Sequence, residues 1–396
     1  MASPTTRLRP ERKSSSVRRH AGSVAFAALL ALPVAATALA KPGDTFNISL
    51  DNGAELQFTG DIQYDWARFD HDRLVGGGEL FTDANTWRRQ QFDLRLVQKG
   101  RYTVRVGYDF HADAWTDNDV SFSTAGGQWK LGEFRTPVGW EKGTESGAQT
   151  MFMESALPVE MIFEGRRAGV GWTWNKTPHW TVQALWFAAH DLNHDGDGTT
   201  TAGRVVYAPM SAPGQVLHLG LALSREQRDS HTARFRARPE THLTPVRLVD
   251  TGKLSGIDHI DRGGFEAGWL QGPLLIQGEY LAAHAARRAG PTFDGSGYYL
   301  QGGWMLTGQS HSYAHTGFGD PDLDGGGALE LALRYSTIDL DDGVVRGGSA
   351  HDWTLGLNWY VSQLFKLQAN YVRTSRDSGK LPVDPRIVEV RAQFAF

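Results

Sequence analysis

Arg234-Phe235-Arg236-Ala237-Arg238 places three guanidinium groups at every second position. In an extended chain alternate residues share a face, spaced by roughly 6.5–7 Å, so the three would form a ladder. A guanidinium is planar, permanently charged and able to donate two parallel bonds to a phosphate or carboxylate. The chemistry this suits is stepwise transfer of an anion. The plainer reading is a solvated basic loop.

Other basic residues sit in alternating segments. Around Phe92, Leu94 and Leu96, parity turns Arg89, Asp93 and Arg95 to the polar face. Arg88 has the opposite parity and would lie above the apolar band, either as an interfacial anchor or as a pore residue. Lys130 lies between Trp129 and Leu131, and Arg105 between Val104 and Val106, so both are expected on the polar face. Asp61 and Glu330 are acidic candidates for the same face, where they would hold basic side chains in place or broaden selectivity.

Other chemistries find less support. Asp191-Leu192-Asn193-His194-Asp195-Gly196 and Asp320-Pro321-Asp322-Leu323-Asp324-Gly325 begin like calcium loops. Their twelfth positions would be Ala202 or Leu331 rather than the closing Glu. His311 and His315 share a face only in a helix, which Pro321 and nearby glycines disfavour. No metal site is therefore expected. Ser155, His190 and the Glu154/Glu160 pair lie in no recognisable nucleophile motif, so neither catalysis nor a cofactor is expected.

These residues must be positioned by strands. Leu56, Phe58, Gly60, Ile62, Tyr64 and Trp66 alternate with polar residues, and comparable segments recur to Phe396. About sixteen such segments are separated by short turns on one side and mostly long loops on the other, the pattern of a membrane barrel. Aromatics near the segment ends, among them Trp66, Trp87, Trp129, Trp304, Trp353 and Tyr360, suit interfacial girdles. The fold expected is all-β, a transmembrane antiparallel β-barrel with inward-folded constriction loops. The longest early insert, 133–167, contains Glu133, Glu154 and Arg166 and would narrow the lumen. A second, basic insert spans 225–262, and a Gly/Asp/His-rich one precedes Ala328.

Residues Met1 to Ala40 read as a cleavable secretory signal: a basic start, an apolar stretch from Ala21 to Ala36, and Ala38-Leu39-Ala40 for cleavage. The barrel domain would be 41–396. The whole chain holds 40 basic and 44 acidic residues; cleavage would leave 34 and 43, a net charge of −9. That argues against a nucleic-acid binder. Without cysteine, disulfide frameworks and thiolate metal sites are excluded.

Short stretches in a fixed order carry a more specific signal. They include Gly60-Asp61-Ile62-Gln63-Tyr64-Asp65, Trp87-Arg88-Arg89, Trp129-Lys130-Leu131-Gly132-Glu133-Phe134, Met151-Phe152-Met153-Glu154-Ser155, Arg166-Arg167-Ala168-Gly169 and Arg391-Ala392-Gln393-Phe394-Ala395-Phe396. On these the chain resembles the phosphate-selective porins of the P and O type. The resemblance implies a sixteen-stranded homotrimer in the bacterial outer membrane, surrounded by lipid and lipopolysaccharide. Its pore would pass phosphate or related anions, polyphosphate included, along Arg88, Arg89, Lys130, Arg105, Arg234, Arg236 and Arg238. One departure is Asp61, at a lumen position where phosphate-selective members carry a basic residue. It favours the alternatives of a larger anion or a general porin. A plugged structural barrel would instead conduct nothing.

Overall fold

The computed structural model describes residues 46–73, 77–143, 150–188, 190–314, 316–323, 325–378 and 384–396. The expected signal segment lies outside them.

Sixteen wall strands follow one another around a closed barrel. They are β1 (Glu55–Asp70), β2 (Ala84–Gln98), β3 (Tyr102–Asp109), β4 (Asn118–Thr124), β5 (Gly127–Arg135), β6 (Arg166–Trp174), β7 (Trp180–Phe187) and β8 (Thr199–Ala212). The second half is β9 (Gln215–Gln227), β10 (Ile257–Gln271), β11 (Leu274–Arg287), β12 (Phe293–Met305), β13 (Ala328–Asp342), β14 (Val345–Tyr360), β15 (Phe365–Ser378) and β16 (Arg386–Ala395). Each pairs antiparallel with its neighbours. The ring closes where β16 meets β1, from Asp61 opposite Ala395 to Asp70 opposite Arg386. Closure leaves no unpaired wall edge, which is what a spanning sheet requires.

The period-two sequence pattern is inverted relative to a soluble protein. In β13, Leu331 and Leu333 are 40% and 49% exposed, while Glu330 and Arg334 are fully buried. The apolar face looks outward and the polar face inward. Trp66, Trp87, Trp129, Trp304 and Trp353 are likewise exposed. Tyr360 corrects the girdle expectation: it is buried, and its hydroxyl donates to Glu330 at 2.9 Å.

The interior is filled from both ends. Between β5 and β6, the segment 136–165 carries α1 (Trp140–Gly143) and α2 (Leu157–Ile162). Leu157, Val159 and Ile162 pack with Phe235 and Ala237 of the 228–256 segment, and with Phe293, Ile338 and Leu340 of the wall. Burying each large apolar side chain contributes about 1.5–3 kcal/mol, so both segments are held as folded inserts.

The 306–327 connection breaks the expected pattern, because it joins strands at the end that otherwise has short turns. Its strands His311–Ala314 and Gly317–Pro321 form a hairpin. Trp140 Nε1 donates to the Thr316 carbonyl at 3.0 Å, so the hairpin meets the 136–165 segment inside the barrel.

Candidate functional site

Inserts crowd the half of the lumen under β9 to β14. The other half holds a cavity of about 700 Å³. Its lining includes Asp61, Asp93 and Asp117, with Arg95, Arg105, Lys130 and Arg135. Lys366 and Asp320 complete it from the last strands and the hairpin. The lining is polar and of mixed sign, because β1 to β5 turn their alternate residues inward.

Ion pairs organise that lining. Arg105 bonds Asp93 through Nε at 2.9 Å and Asp117 through Nη1 at 2.6 Å. Arg166 bonds the other oxygen of Asp117 at 2.7 Å. Burial would raise the Asp117 pKa, but Arg166 and Arg105 together hold it far below the usual carboxylate range. Lys130 lies 3.9 Å from Asp119 and 5.4 Å above the Phe134 ring. Lys366 bonds Asp320 at 3.2 Å.

Wall arginines hold the 136–165 segment inside the barrel. Arg88 Nε donates to Glu154 Oε1 at 2.7 Å, and Arg391 Nη2 donates to the same oxygen at 2.9 Å. Burial would raise the Glu154 pKa; the two arginines hold it well below the usual carboxylate range. Arg391 also grips Asp65 and the Met153 carbonyl. Arg334 bonds Glu141, Glu240 and the Glu154 carbonyl. These buried wall arginines anchor the insert. With their donors occupied by protein oxygens, they have little left for an ion.

Two sequence expectations are corrected here. Arg88 is not an outward anchor. The β1–β2 register passes from Gln63 opposite Arg89 to Tyr64 opposite Trp87, so Arg88 is the extra residue of a β-bulge. A bulge re-aims a side chain without changing its strand, and both Arg88 and Arg89 reach inward partners, Glu154 and Asp61. The second correction concerns the insert's bounds. Glu133 and Arg166 belong to wall strands β5 and β6. The Glu133 carboxylate accepts from the backbone of Leu192 at 2.5 Å and steadies the next loop.

The arginine run is extended, as Arg236 and Ala237 pair with Asp250 and Val249. Phe235 and Ala237 are buried against the wall, which turns the three arginines to the other side. Their surroundings differ. Arg234 is paired with Asp250 and Arg238 with Glu160 at 3.3 Å. Arg247 shares Glu160 at 3.0 Å. Arg236 is exposed and stands opposite Asp250 in the pairing, but among the described residues it makes no ion pair.

Three further basic residues inside the barrel escaped the sequence reading as candidates. Arg135 donates to the Lys142 carbonyl at 3.1 Å. Lys142, in α1, has no carboxylate partner among the described residues; its ammonium lies 5.9 Å from the Phe163 ring. Burial draws the Lys142 pKa below the usual lysine range. Arg95 likewise makes no ion pair among the described residues, though Asp93, Asp117 and Asp119 lie near it. Parity identified the inward side of Arg95; nothing in the sequence signals which basic residues the fold pairs with carboxylates.

Comparison with known proteins adds a separate line. The family described as phosphate-selective porin O and P matches residues 56–396. Porin O of Pseudomonas aeruginosa is 27% identical over 419 residues, covering 91% of this chain and 95% of that protein. The fold is similar to an anion-selective porin from Comamonas acidovorans, with TM-score 0.55, 13% identity, and coverage of 87% of this chain and 100% of that one. It is also similar to the trimer form of OmpT, an outer membrane protein of Vibrio cholerae, with TM-score 0.56, 10% identity, and coverage of 87% and 99%.

Proposed function

The chain belongs to the phosphate-selective porin O and P family, and on that premise we propose that this outer-membrane channel passes phosphate and related anions through an arginine- and lysine-lined constriction. The observation that carries the proposal is the pair of cations on the 136–165 and 228–256 segments, Arg236 and Lys142, that make no ion pair among the described residues. An anion filter needs fixed positive charge where water is scarce. It must also release the ion, which a few separated cations do better than a dense cluster.

In this reading an anion is drawn toward Arg236 and then passes Lys142 near the Arg88–Glu154 pair. It continues along Arg95 and Lys130. Arg234 and Arg238 shape the field but are largely neutralised by Asp250 and Glu160. Arg89 and Arg105 act the same way beside Asp61, Asp93 and Asp117. Polyphosphate fits as a chain of the same groups. The trimeric form of the structurally similar Vibrio protein supports a homotrimer. Family and fold point to a channel rather than an enzyme.

A general, weakly selective porin is the second reading. The mixed-sign lining around Asp61, Asp93 and Asp320 favours it. Planar-bilayer recording under a salt gradient separates the two. Anion-selective reversal with saturable phosphate block, weakened by Arg236→Ala, supports the filter. Cation selectivity, or no block, leaves only the general porin.

A further inference from the structure

The outer wall carries a second basic group, unrelated to the lumen. Arg68 on β1, Arg386 on β16 and Arg373 on β15 are all exposed. Each lies two residues toward the long-loop end from an exposed apolar residue of its own strand: Trp66, Val388 and Tyr371. Side chains two apart share a face, so the three arginines point outward, along the upper edge of a lipid-facing apolar band. Trp353 extends that band beside Arg373.

Register brings the arginines together. Arg373 is directly opposite Arg386. Arg68 is diagonal to Arg386, since Arg68 pairs with Val388 and Asp70 with Arg386. Opposite and diagonal residues on one face lie about 5 and 7–8 Å apart, and like charges directly opposite repel. Among the described residues none of the three has an ion pair. Nearby carboxylates do not supply one: Asp377 serves His351, Asp384 serves Arg376, and exposed Asp70 makes no ion pair with Arg386. On another stretch of the outer wall the opposite holds. Arg225 pairs with Asp261, Arg288 with Asp258, and His284 with Asp294.

We propose that Arg68, Arg373 and Arg386 form a docking site for the phosphorylated headgroup of an outer-leaflet glycolipid, with its acyl chains lying over the Trp66–Val388–Tyr371 band. Charge complementarity carries the assignment. A phosphate between Arg373 and Arg386 relieves their repulsion and accepts paired guanidinium bonds. The adjoining apolar band selects a phosphate that is attached to a lipid. The proposal rests on the outer-membrane position of the barrel and is independent of what the pore conducts.

Native mass spectrometry of the full-length barrel extracted from outer membranes, titrated with diphosphoryl lipid A and with its dephosphorylated counterpart, tests this. The diphosphoryl form is expected to bind. Arg373→Gln with Arg386→Gln should lower its affinity at least about tenfold, the scale of a lost charge-assisted bond. Arg373→Lys with Arg386→Lys should retain part of it. Unchanged chloride conductance shows that the variants are folded. Lys142→Ala, which tests the pore reading, should leave lipid binding intact. Equal binding of the dephosphorylated lipid overturns the proposal, as does displacement by inorganic phosphate or full affinity in the double Gln variant. Loss of the oligomer in that variant also overturns it, making the patch a contact between copies.

Discussion

Arg88 and Glu154 meet at 2.7 Å inside the barrel, one from a wall bulge and the other from the inserted segment. The pair joins the loop to the wall and cancels a positive charge that an anion would otherwise meet. Glu154→Gln removes that cancellation. A unit charge at contact distance under water-like screening is worth about 1 kcal/mol, so phosphate block should tighten roughly fivefold. Concentration–block curves for the two proteins decide it, and weaker block in the variant would contradict the assignment.

The arginine run should behave unevenly. Arg236→Ala removes a cation that makes no ion pair among the described residues and should weaken phosphate block about tenfold, as expected for charged hydrogen bonds worth about 1.5–3 kcal/mol. Arg234→Ala should do much less, because Asp250 already neutralises that guanidinium. Asp250→Asn should release Arg234 and strengthen block. Equal effects of Arg234→Ala and Arg236→Ala would show that the ion pairing seen here does not grade the rungs.

Lys142 gives an alkaline signature. Its pKa is lowered by burial, so its charge is present below that value and lost as pH rises through it. Anion selectivity should therefore begin to fall at a lower pH than an ordinary lysine would give. Lys142→Arg should flatten the profile, since arginine stays charged. Reversal potentials in chloride gradients, measured from neutral to alkaline pH, provide the comparison.

His242 gives an acidic one. Burial, then the adjacent Arg88 charge, lower its pKa to about 4. It should be neutral from pH 5.5 upward and contribute nothing to selectivity there. Between about 4 and its ordinary value near 6.5, the unfolded chain binds a proton that the native state does not. Stability should fall as pH drops through that window. His242→Asn should lessen the loss, read as the heat-unfolding temperature at pH 5 against pH 7.5. An unchanged difference would remove His242 from the account.

Much of the wall was legible because a strand's alternation encodes its inward face directly: Lys130, Arg105 and Asp93 follow from their apolar neighbours. Parity alone turns Arg88 to the wrong side, because a bulge shifts parity by one residue and no residue type marks it. Glu133 and Arg166 were placed in the insert because the end of alternation is gradual. The inward hairpin at 311–321 was hidden by its ordinary loop composition. The neutralising partners of Arg234 and Arg238 lie 16 and 78 residues away in sequence, a separation that parity cannot span.

Gly268 tests whether the 136–165 insert and the inward hairpin act as one plug. It faces inward on β10, and a Cβ there would lie 2.6 Å from Phe318 of the hairpin and 2.8 Å from Trp140 of α1. Both rings pack around His218, Trp140 stacking on it at 4.4 Å. Real side chains do not tolerate such approaches, and neither ring can swing away without leaving a buried cluster. Gly268→Val should separate Trp140 from Thr316 and loosen both inserts together, at a cost of about 1–3 kcal/mol for overpacking. The barrel should persist, because its sixteen strands close without the inserts. The expected record is higher chloride conductance with weaker phosphate block and more open-channel noise. Unchanged conductance with only a lower unfolding temperature would mean that the packed half of the lumen does not set the width of the passage.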